Sequence, residues 1–87
     1  MINVLLSKTF IKQIRHLKPA QQKRLQKAVK LFKEDPFHET LYNHSLTGEW
    51  SGYRSIAFGG DWRAHYKMVD DNSALFEAVG THSQLYD

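Results

Sequence analysis

The first third of the chain joins a short apolar segment to two amphipathic helical patterns. Residues 2–6 are rich in branched apolar side chains, which predicts a strand. Ser7 can cap a helix whose apolar positions recur at helical spacing and share one face. Pro19 suits the first turn of a second helix, and Asp35-Pro36 would end it. The apolar positions of the first helix are Phe10, Ile11, Ile14 and Leu17.

From Leu41 onward the apolar period changes towards two, which is typical of strands. Residues 53–58, 62–69 and 75–81 are predicted strands, and their short linkers of Gly, Asp, Asn and Ser favour antiparallel hairpins. The element order predicts an α+β fold: an N-terminal strand, two helices, and an antiparallel strand meander with the helices packed on one face of the sheet. A chain of 87 residues has room for one domain, spanning residues 1–87.

The alternation in the middle strand predicts which side chains share a face of the sheet. Trp62, Ala64 and Tyr66 alternate with polar residues. A three-residue loop before Trp62 sets Ile56 opposite Ala64, whereas a two-residue loop would set Ile56 opposite Arg63, so we expect the three-residue register. The opposite face would then carry Ser55, Ala57, Arg63, His65 and Lys67.

The charges are distributed unevenly along the chain. Nine of the twelve Lys and Arg residues lie in residues 1–33, which hold no acid, and all nine acids lie in residues 34–87. This asymmetry predicts a polyanionic partner or an acidic protein partner, although helical lysines can also serve solubility alone. The candidate cations for binding a polyanion are Lys23, Arg24, Lys27, Lys30 and Lys67.

Composition excludes several classes of protein. The absence of cysteine excludes a disulfide scaffold and a thiolate metal site, and is typical of the reducing cytosol. No apolar run approaches the roughly 18 residues of a membrane span, and the N-terminus lacks the charged region of a signal peptide. No two histidines have the close spacing that metal pairs favour. We therefore expect a cytoplasmic protein with no cofactor, no metal and no membrane partner.

The candidate chemistry depends on histidines and one arginine. Imidazoles titrate near neutrality and can exchange protons with a reacting oxygen, while arginine presents fixed donors to phosphate. On an open polar sheet face they would suit RNA cleavage through the ribose 2′-hydroxyl, which needs a base, an acid and cations, but no metal. The pattern leaves the facing of His82 open. The candidates are His44, Asp61 with Arg63, His65, and His82 with Tyr86.

Each candidate also has a structural interpretation. A single histidine in a small protein is commonly solvated or hydrogen-bonded rather than catalytic. His16 lies among helical cations and His38 follows the Pro36 turn, so both look structural or solvent-facing. The larger aromatic residues are more typical of core and rim packing than of base stacking: Trp50, Tyr53, Trp62 and Tyr66.

Three sequence blocks resemble one family: HSLTGEWSGYR at 44–54, GDWRAHYK at 60–67 and GTHSQLY at 80–86. Over essentially its whole length the chain resembles the RelE/YafQ-type toxins of bacterial type II toxin–antitoxin systems. The resemblance implies the RelE-like fold and a small endoribonuclease, usually ribosome-dependent, that cleaves mRNA and is neutralised by a cognate antitoxin. The expected partners are therefore mRNA, the ribosome and that antitoxin.

The resemblance also assigns site residues. His44 stands where YafQ-like members carry a catalytic histidine, and His82 matches the histidine of the terminal block, which RelE fills with arginine. Asp61 matches an acidic residue of the pattern, and Arg63 stands where RelE-like members place a phosphate-contacting arginine. Tyr86 falls at the terminal aromatic position.

One position departs from the pattern. YafQ-like members have a second histidine where this chain has Ala57, and alanine cannot transfer a proton. Parity predicts His65 on the same face, so we hypothesise that Arg63 or His65 partly replaces the missing group. The alternative is a slower enzyme, or one that divides the chemistry differently. Arg54 is a further auxiliary candidate.

Two other functions remain open at the level of sequence. One is a ParE-like toxin that inhibits gyrase by protein contact, and the other is a catalytically weak RNA-binding or antitoxin-sequestering module. The set of His44, Arg63, His82 and Tyr86 favours the ribonuclease, whereas Ala57 keeps the gyrase inhibitor open. A fold match alone does not establish activity.

Overall fold

A computed structural model describes residues 1–86 and shows a mixed five-stranded sheet with three helices. Its elements are β1 (Asn3–Leu6), α1 (Lys8–Ile14), α2 (Pro19–Glu34), β2 (His44–Ser45), β3 (Arg54–Ala57), β4 (Trp62–Asp70), β5 (Ser73–Thr81) and α3 (His82–Tyr86). The strand order is β1-β5-β4-β3-β2. The predicted α+β fold is confirmed, while β2, α3 and the parallel pairing of β1 with β5 are additions that the sequence pattern did not predict.

The helices begin where the sequence predicts. The Ser7 hydroxyl accepts a hydrogen bond from the Phe10 amide at 3.0 Å, which caps α1, and Pro19 opens α2. The expectation that Ile11 lies on the buried face is wrong, because its side chain is 40% exposed. The first helix is only seven residues long and turns Phe10 towards the core instead.

An aromatic cluster fills the space between α1, α2 and one face of the sheet. The Phe32 ring lies 4.8 Å from that of Tyr66 and 5.2 Å from that of Phe76, both edge to face. Phe10 meets Phe76 at 5.7 Å. All four rings are buried, so this face of the sheet, hereafter the helix-covered face, carries the main core.

The strand register confirms the three-residue loop. Ile56 pairs with Ala64, and Ala57 pairs with Arg63. A bulge follows His65, which pairs with Ala78 while Tyr66 pairs with Phe76. His65 and Tyr66 are successive residues of β4, so Tyr66 points into the core and His65 lies on the other side of the sheet, hereafter the open face. The bulge sets Phe76 opposite Tyr66. Within residues 1–86 no helix is long and apolar enough to cross a membrane.

Candidate active site

The open face brings together residues from four strands. Directly paired residues point to the same side of a sheet, and the register joins His44 to Ser55, Ser55 to His65, and His65 to Ala78. Ala57 and Arg63 form the neighbouring pair on this face. The predicted grouping of Ser55, Ala57, Arg63 and His65 is therefore what the register gives, and it places His44 in the same row.

His44 lies on the edge strand β2 with its imidazole exposed. Its Nδ1 is 2.8 Å from the carbonyl oxygen of Tyr42. Because a carbonyl oxygen can only accept, Nδ1 carries the proton in this contact. In the neutral ring, Nε2 therefore keeps a free lone pair and can accept a proton from a substrate hydroxyl.

The side chain of Asn43 holds the segment that carries His44. Its Nδ2 donates to the Pro36 carbonyl at 2.8 Å and to the Tyr66 hydroxyl at 2.7 Å, and its Oδ1 accepts from Arg54 Nε at 2.8 Å. Burial raises the pKa of Tyr66, so its hydroxyl stays protonated. The three bonds tie this segment to the core and so fix the position of the backbone that carries His44.

Arg54 lies on the other side of the sheet from His44. It pairs with Tyr66, a core residue, and its guanidinium carbon lies 5.3 Å from the Phe37 ring centroid. Its bond to Asn43 leaves it behind the strand rather than above the open face. For this auxiliary candidate, the contact with Asn43 favours a positioning role.

His65 is buried beneath two aromatic rings. Its side chain is 1% exposed, and the ring centroids of Trp50 and Tyr86 lie 4.5 Å and 5.7 Å away. Burial, together with the charges of His44, His82 and Arg63, lowers the pKa of His65 from 6.5 to about 4. His65 is therefore neutral near pH 7 and is not placed to donate a proton to a substrate.

Two buried polar atoms on the open face have no hydrogen-bond partner in the described part of the chain. Neither Nδ1 of His65 nor the hydroxyl oxygen of its cross-strand neighbour Ser55 has a hydrogen-bond partner among residues 1–86. The Trp50 indole donates to the Leu85 carbonyl at 3.2 Å, which joins the turn at Gly48–Trp50 to α3 across the top of His65. The cover thus consists of two short segments that are far apart in the sequence.

α3 places the last two predicted residues at the rim of the open face. The His82 ring lies 4.7 Å from that of Tyr86, and both side chains are exposed. The His82 amide donates to the Asp61 carbonyl at 3.0 Å, so the turn before β4 and the start of α3 are joined. His82 therefore lies beside Tyr86, and its backbone adjoins that of Asp61.

Arg63 lies above the strand position next to Ala57. Its Nη1 donates to the carbonyls of Gly60 at 3.0 Å and Trp62 at 2.9 Å, which anchors one side of the guanidinium to the backbone. Because alanine has no side chain beyond Cβ, it leaves room above β3 for the arginine paired with it. Arg63 thus lies where a phosphate above the sheet could be met by a fixed cation.

The predicted RNA-binding cations divide between the two sides of the molecule. Lys67 is on the open face, with Nζ 5.3 Å from the ring centroid of Tyr53. The other four are exposed on α2, which packs its apolar side on the opposite face of the sheet. They are Lys23, Arg24, Lys27 and Lys30.

Two histidines lie apart from the site. His38 Nδ1 accepts from the Thr40 amide at 3.2 Å and caps a short turn, which is the structural role expected for it. His16 is exposed in the connection between α1 and α2. Within residues 1–86 no group of three or more His, Cys, Asp or Glu side chains is arranged to hold a metal ion.

A family model for the bacterial toxin of type II toxin–antitoxin systems, YafQ, matches residues 2–87. The chain belongs to the YafQ family. This confirms the resemblance and, with it, the assignment of the chain as a toxin of this class. No curated protein sequence gives a significant match to the chain.

Solved structures agree with the YafQ family fold. YafQ from E. coli strain BL21(DE3) is 24% identical, covers 100% of both chains and has a TM-score of 0.83. The toxin of the E. coli DinJ–YafQ toxin–antitoxin complex is 27% identical over 99% of this chain and 98% of that chain, with a TM-score of 0.77. A YoeB/ParE toxin from Agrobacterium tumefaciens is 13% identical over 93% of this chain and 99% of that chain, again with a TM-score of 0.77.

Sequence reasoning missed three residues that organise the site of this YafQ family member. Trp50 was expected to pack in the core or rim, but its place as a cover over His65 was not predicted. Asn43 was not singled out, although an amide directly before a catalytic-type histidine is a signal that could have found it. Tyr42, whose carbonyl accepts a hydrogen bond from His44, has a left-handed backbone conformation that the sequence does not predict.

Proposed function

We propose that this toxin is an endoribonuclease that cleaves mRNA on the ribosome through attack of a ribose 2′-hydroxyl on the adjacent phosphate. The observation that carries the proposal is the free Nε2 of His44, whose ring is held through Nδ1 by the Tyr42 carbonyl at 2.8 Å, on a sheet face shared with Arg63. In this step the 2′-oxygen bonds to phosphorus and the bond to the 5′-oxygen breaks. The products are a 2′,3′-cyclic phosphate and a 5′-hydroxyl.

Three side chains divide the work. His44 accepts the proton of the 2′-hydroxyl through Nε2, and protonated His82 at the rim donates a proton to the leaving 5′-oxygen. Arg63 neutralises the charge that develops on the phosphorane. Tyr86, whose ring packs against His82 at 4.7 Å, orients the acid. Asp61, joined to His82 through its backbone carbonyl, fixes the start of α3.

Where YafQ-like members have a second histidine, this chain has Ala57, and the positive charge of Arg63, rather than another proton carrier, replaces that histidine. Arginine stays protonated near neutrality and cannot act as an acid or base. His65 is buried and neutral, which argues against it as the replacement and favours a positioning role beneath Tyr86. Of the two replacements hypothesised, Arg63 is the one supported by its position opposite Ala57.

RNA binds on two sides of the toxin. The open face holds the mRNA near Lys67, while the exposed cations of α2 contact ribosomal RNA phosphates from the opposite side. Phosphate contacts of this kind make binding strongly dependent on salt. The toxin would then lie between the ribosome and the message.

An acidic segment of a cognate antitoxin binds beside α2. A groove of about 530 Å³ lies between α2 and β3, where Leu31, Leu41 and Phe58 contribute apolar surface. Its rim carries Arg24 and two lysines, Lys27 and Lys30, against the single acid Glu34. β2 pairs with β3 only at Arg54 and Ser55. Among residues 1–86, the edge of β3 at Ala57 therefore has no paired strand, and a strand of the antitoxin could add there.

Solved complexes of relatives support an antitoxin partner. They are the E. coli DinJ–YafQ complex and the Staphylococcus aureus YoeB–YefM complex. Co-expression of the neighbouring open reading frame tests the partner: its product should co-purify with this chain and relieve its toxicity. The antitoxin assignment fails if it does neither.

Cleavage of a defined mRNA, with and without translating ribosomes, tests the activity. The wild-type chain should cut the message at discrete sites on the ribosome, and His44→Ala should cut at least 100-fold more slowly. Free RNA in a chelator tests the metal-independent chemistry separately. Intact message with every protein, together with inhibited gyrase, would favour the ParE-like alternative.

A further inference from the structure

Tyr42 has a backbone conformation that its residue type does not favour. Its φ is 51°, the one positive φ at a residue other than glycine among those that the structure describes. Glycine adopts this left-handed region without the steric clash that a Cβ introduces. The backbone at Tyr42 is therefore strained in a way that a glycine at this position would avoid.

Packing in the core does not account for this tyrosine. Its side chain is 73% exposed, so the ring gains little from burial in the free protein. The other large rings of the open face have partners: Trp50 lies against Tyr53 at 5.1 Å and against His65 at 4.5 Å. Tyr42 is a large aromatic surface on this side of the molecule that solvent can reach.

The ring lies beside the base of the proposed reaction. Its centroid is 6.2 Å from the His44 ring centroid, at an interplanar angle of 64°. The carbonyl of the same residue accepts from His44 Nδ1 at 2.8 Å. The left-handed backbone thus does two things at once, since it holds the imidazole and exposes an aromatic face next to it.

We propose that Tyr42 is a stacking platform for the base of the nucleotide whose ribose His44 would deprotonate. The location rests on the proposed function, while stacking itself needs only single-stranded RNA. Aromatic side chains stack on bases of any sequence, and each such contact raises affinity roughly 5- to 150-fold. Stacking would position the ribose over Nε2 of His44 without reading the base by hydrogen bonds.

Binding of an uncleavable RNA separates stacking from chemistry. The probe is a short oligoribonucleotide with 2-aminopurine at the scissile nucleotide and a 2′-methoxy group in place of its 2′-hydroxyl. Tyr42→Phe keeps the ring. Tyr42→Gly removes the ring and still permits the left-handed backbone that holds His44. Tyr42→Asn, which also tolerates that backbone, serves as a second ring-free variant, and Ile11→Ala is an exposed apolar control far from the site.

The wild type, Tyr42→Phe and Ile11→Ala should quench the 2-aminopurine fluorescence and bind with the same Kd. Tyr42→Gly and Tyr42→Asn should lose the quenching and raise the Kd about tenfold. On cleavable RNA at subsaturating protein, Tyr42→Gly should lower the single-turnover rate about tenfold, in step with its weaker binding.

The proposal is wrong if the ring-free variants bind and quench like the wild type, or if they lose only antitoxin binding. It is also wrong if Tyr42→Gly lowers the saturating rate and leaves the Kd unchanged, because the residue would then act only through His44. If quenching depends on the Tyr42 ring but the wild-type chain cleaves no RNA, the proposed ribonuclease activity is wrong and the stacking role of Tyr42 still holds.

Discussion

On the helix-covered face of the sheet, Phe32 packs edge to face against Tyr66 and Phe76, and these rings are buried. On the open face, the buried ring is an imidazole, His65, and its neighbours Trp50 and Tyr86 reach solvent on their outer sides. The first layer is closed by a sixteen-residue helix, and the second by a three-residue turn and a five-residue helix.

The two layers have different roles: the helix-covered layer stabilises the fold, and the open layer carries the candidate reactive groups. The helix-covered layer removes apolar surface from water and contains little that can react. The open layer excludes water from two polar side chains, Ser55 and His65, and leaves titratable groups at its rim, where a substrate can reach them. We therefore expect substitutions on the first face to act on the free energy of unfolding, and those at the rim of the second to act on cleavage.

The largest expected effect is on the rate of cleavage. His82→Ala should slow single-turnover cleavage about 10²–10⁴-fold, because it removes the proposed proton donor. The melting temperature should change little, since His82 is exposed. His16→Ala removes an exposed histidine away from the site and should leave the rate unchanged. Undiminished cleavage by His82→Ala at matched concentration would contradict the assignment.

The next effect is on stability. Phe32→Ala should lower the free energy of unfolding by about 3–5 kcal/mol, because a fully buried ring leaves a cavity between α2 and the sheet. Tyr86→Ala on the open face should cost less than half as much, since its side chain is 43% exposed. Chemical denaturation of both variants measures the difference. Equal losses would mean that the open layer is a second core.

The pH dependence of stability tests the buried imidazole. The folded state lowers the pKa of His65 from 6.5 to about 4, so the unfolded chain binds more protons between these values. The stability that His65 contributes is complete above pH 6.5 and falls as the pH drops towards 4. Between pH 7 and pH 5 the loss should be about 2 kcal/mol.

His65→Leu is the matched variant for this measurement, because leucine fills a similar volume and does not titrate. Denaturant unfolding at pH 7 and pH 5 should show a fall in stability for the wild type and for His16→Ala that is about 2 kcal/mol larger than for His65→Leu. A wild-type pH dependence that survives unchanged in His65→Leu would show that other groups cause it.

The smallest effect concerns the cations of α2. Lys23→Glu with Lys27→Glu should weaken ribosome binding and reduce the slope of log affinity against log salt by about two, one for each lost phosphate contact. Stability should change by less than about 1 kcal/mol because both side chains are exposed. Lys8→Glu with Lys12→Glu makes the same charge change on α1. Equal weakening by both pairs would indicate net charge rather than contacts of α2.

Side-chain alternation and helix capping allowed most of the fold to be predicted from the sequence. The alternation around Ala64 predicted its pairing with Ile56, because a one-residue slip would have put Arg63 into the core. Ser7 and Pro19 predicted the starts of α1 and α2. β2 was missed because two residues are too few to show a period.

The site was less predictable because tertiary contacts define it. Parity placed His65 on the open face, but its burial depends on Trp50 and Tyr86, which come from segments on either side of it in the sequence. Arg54 lies in a block that resembles the family, but its hydrogen bond to Asn43, on a different segment, could not be predicted from that block. The bond from His44 to the Tyr42 carbonyl depends on a backbone angle that no pattern encodes.

The chemistry of the cleaved ends tests the central claim most directly. A message with a single 2′-deoxy substitution at the cleaved nucleotide should stay intact at that site, while the unmodified message yields a 2′,3′-cyclic phosphate and a 5′-hydroxyl. Cutting of the deoxy message at the same rate, or products with a 3′-hydroxyl and a 5′-phosphate, would contradict attack by the 2′-hydroxyl and with it the role of His44 as base.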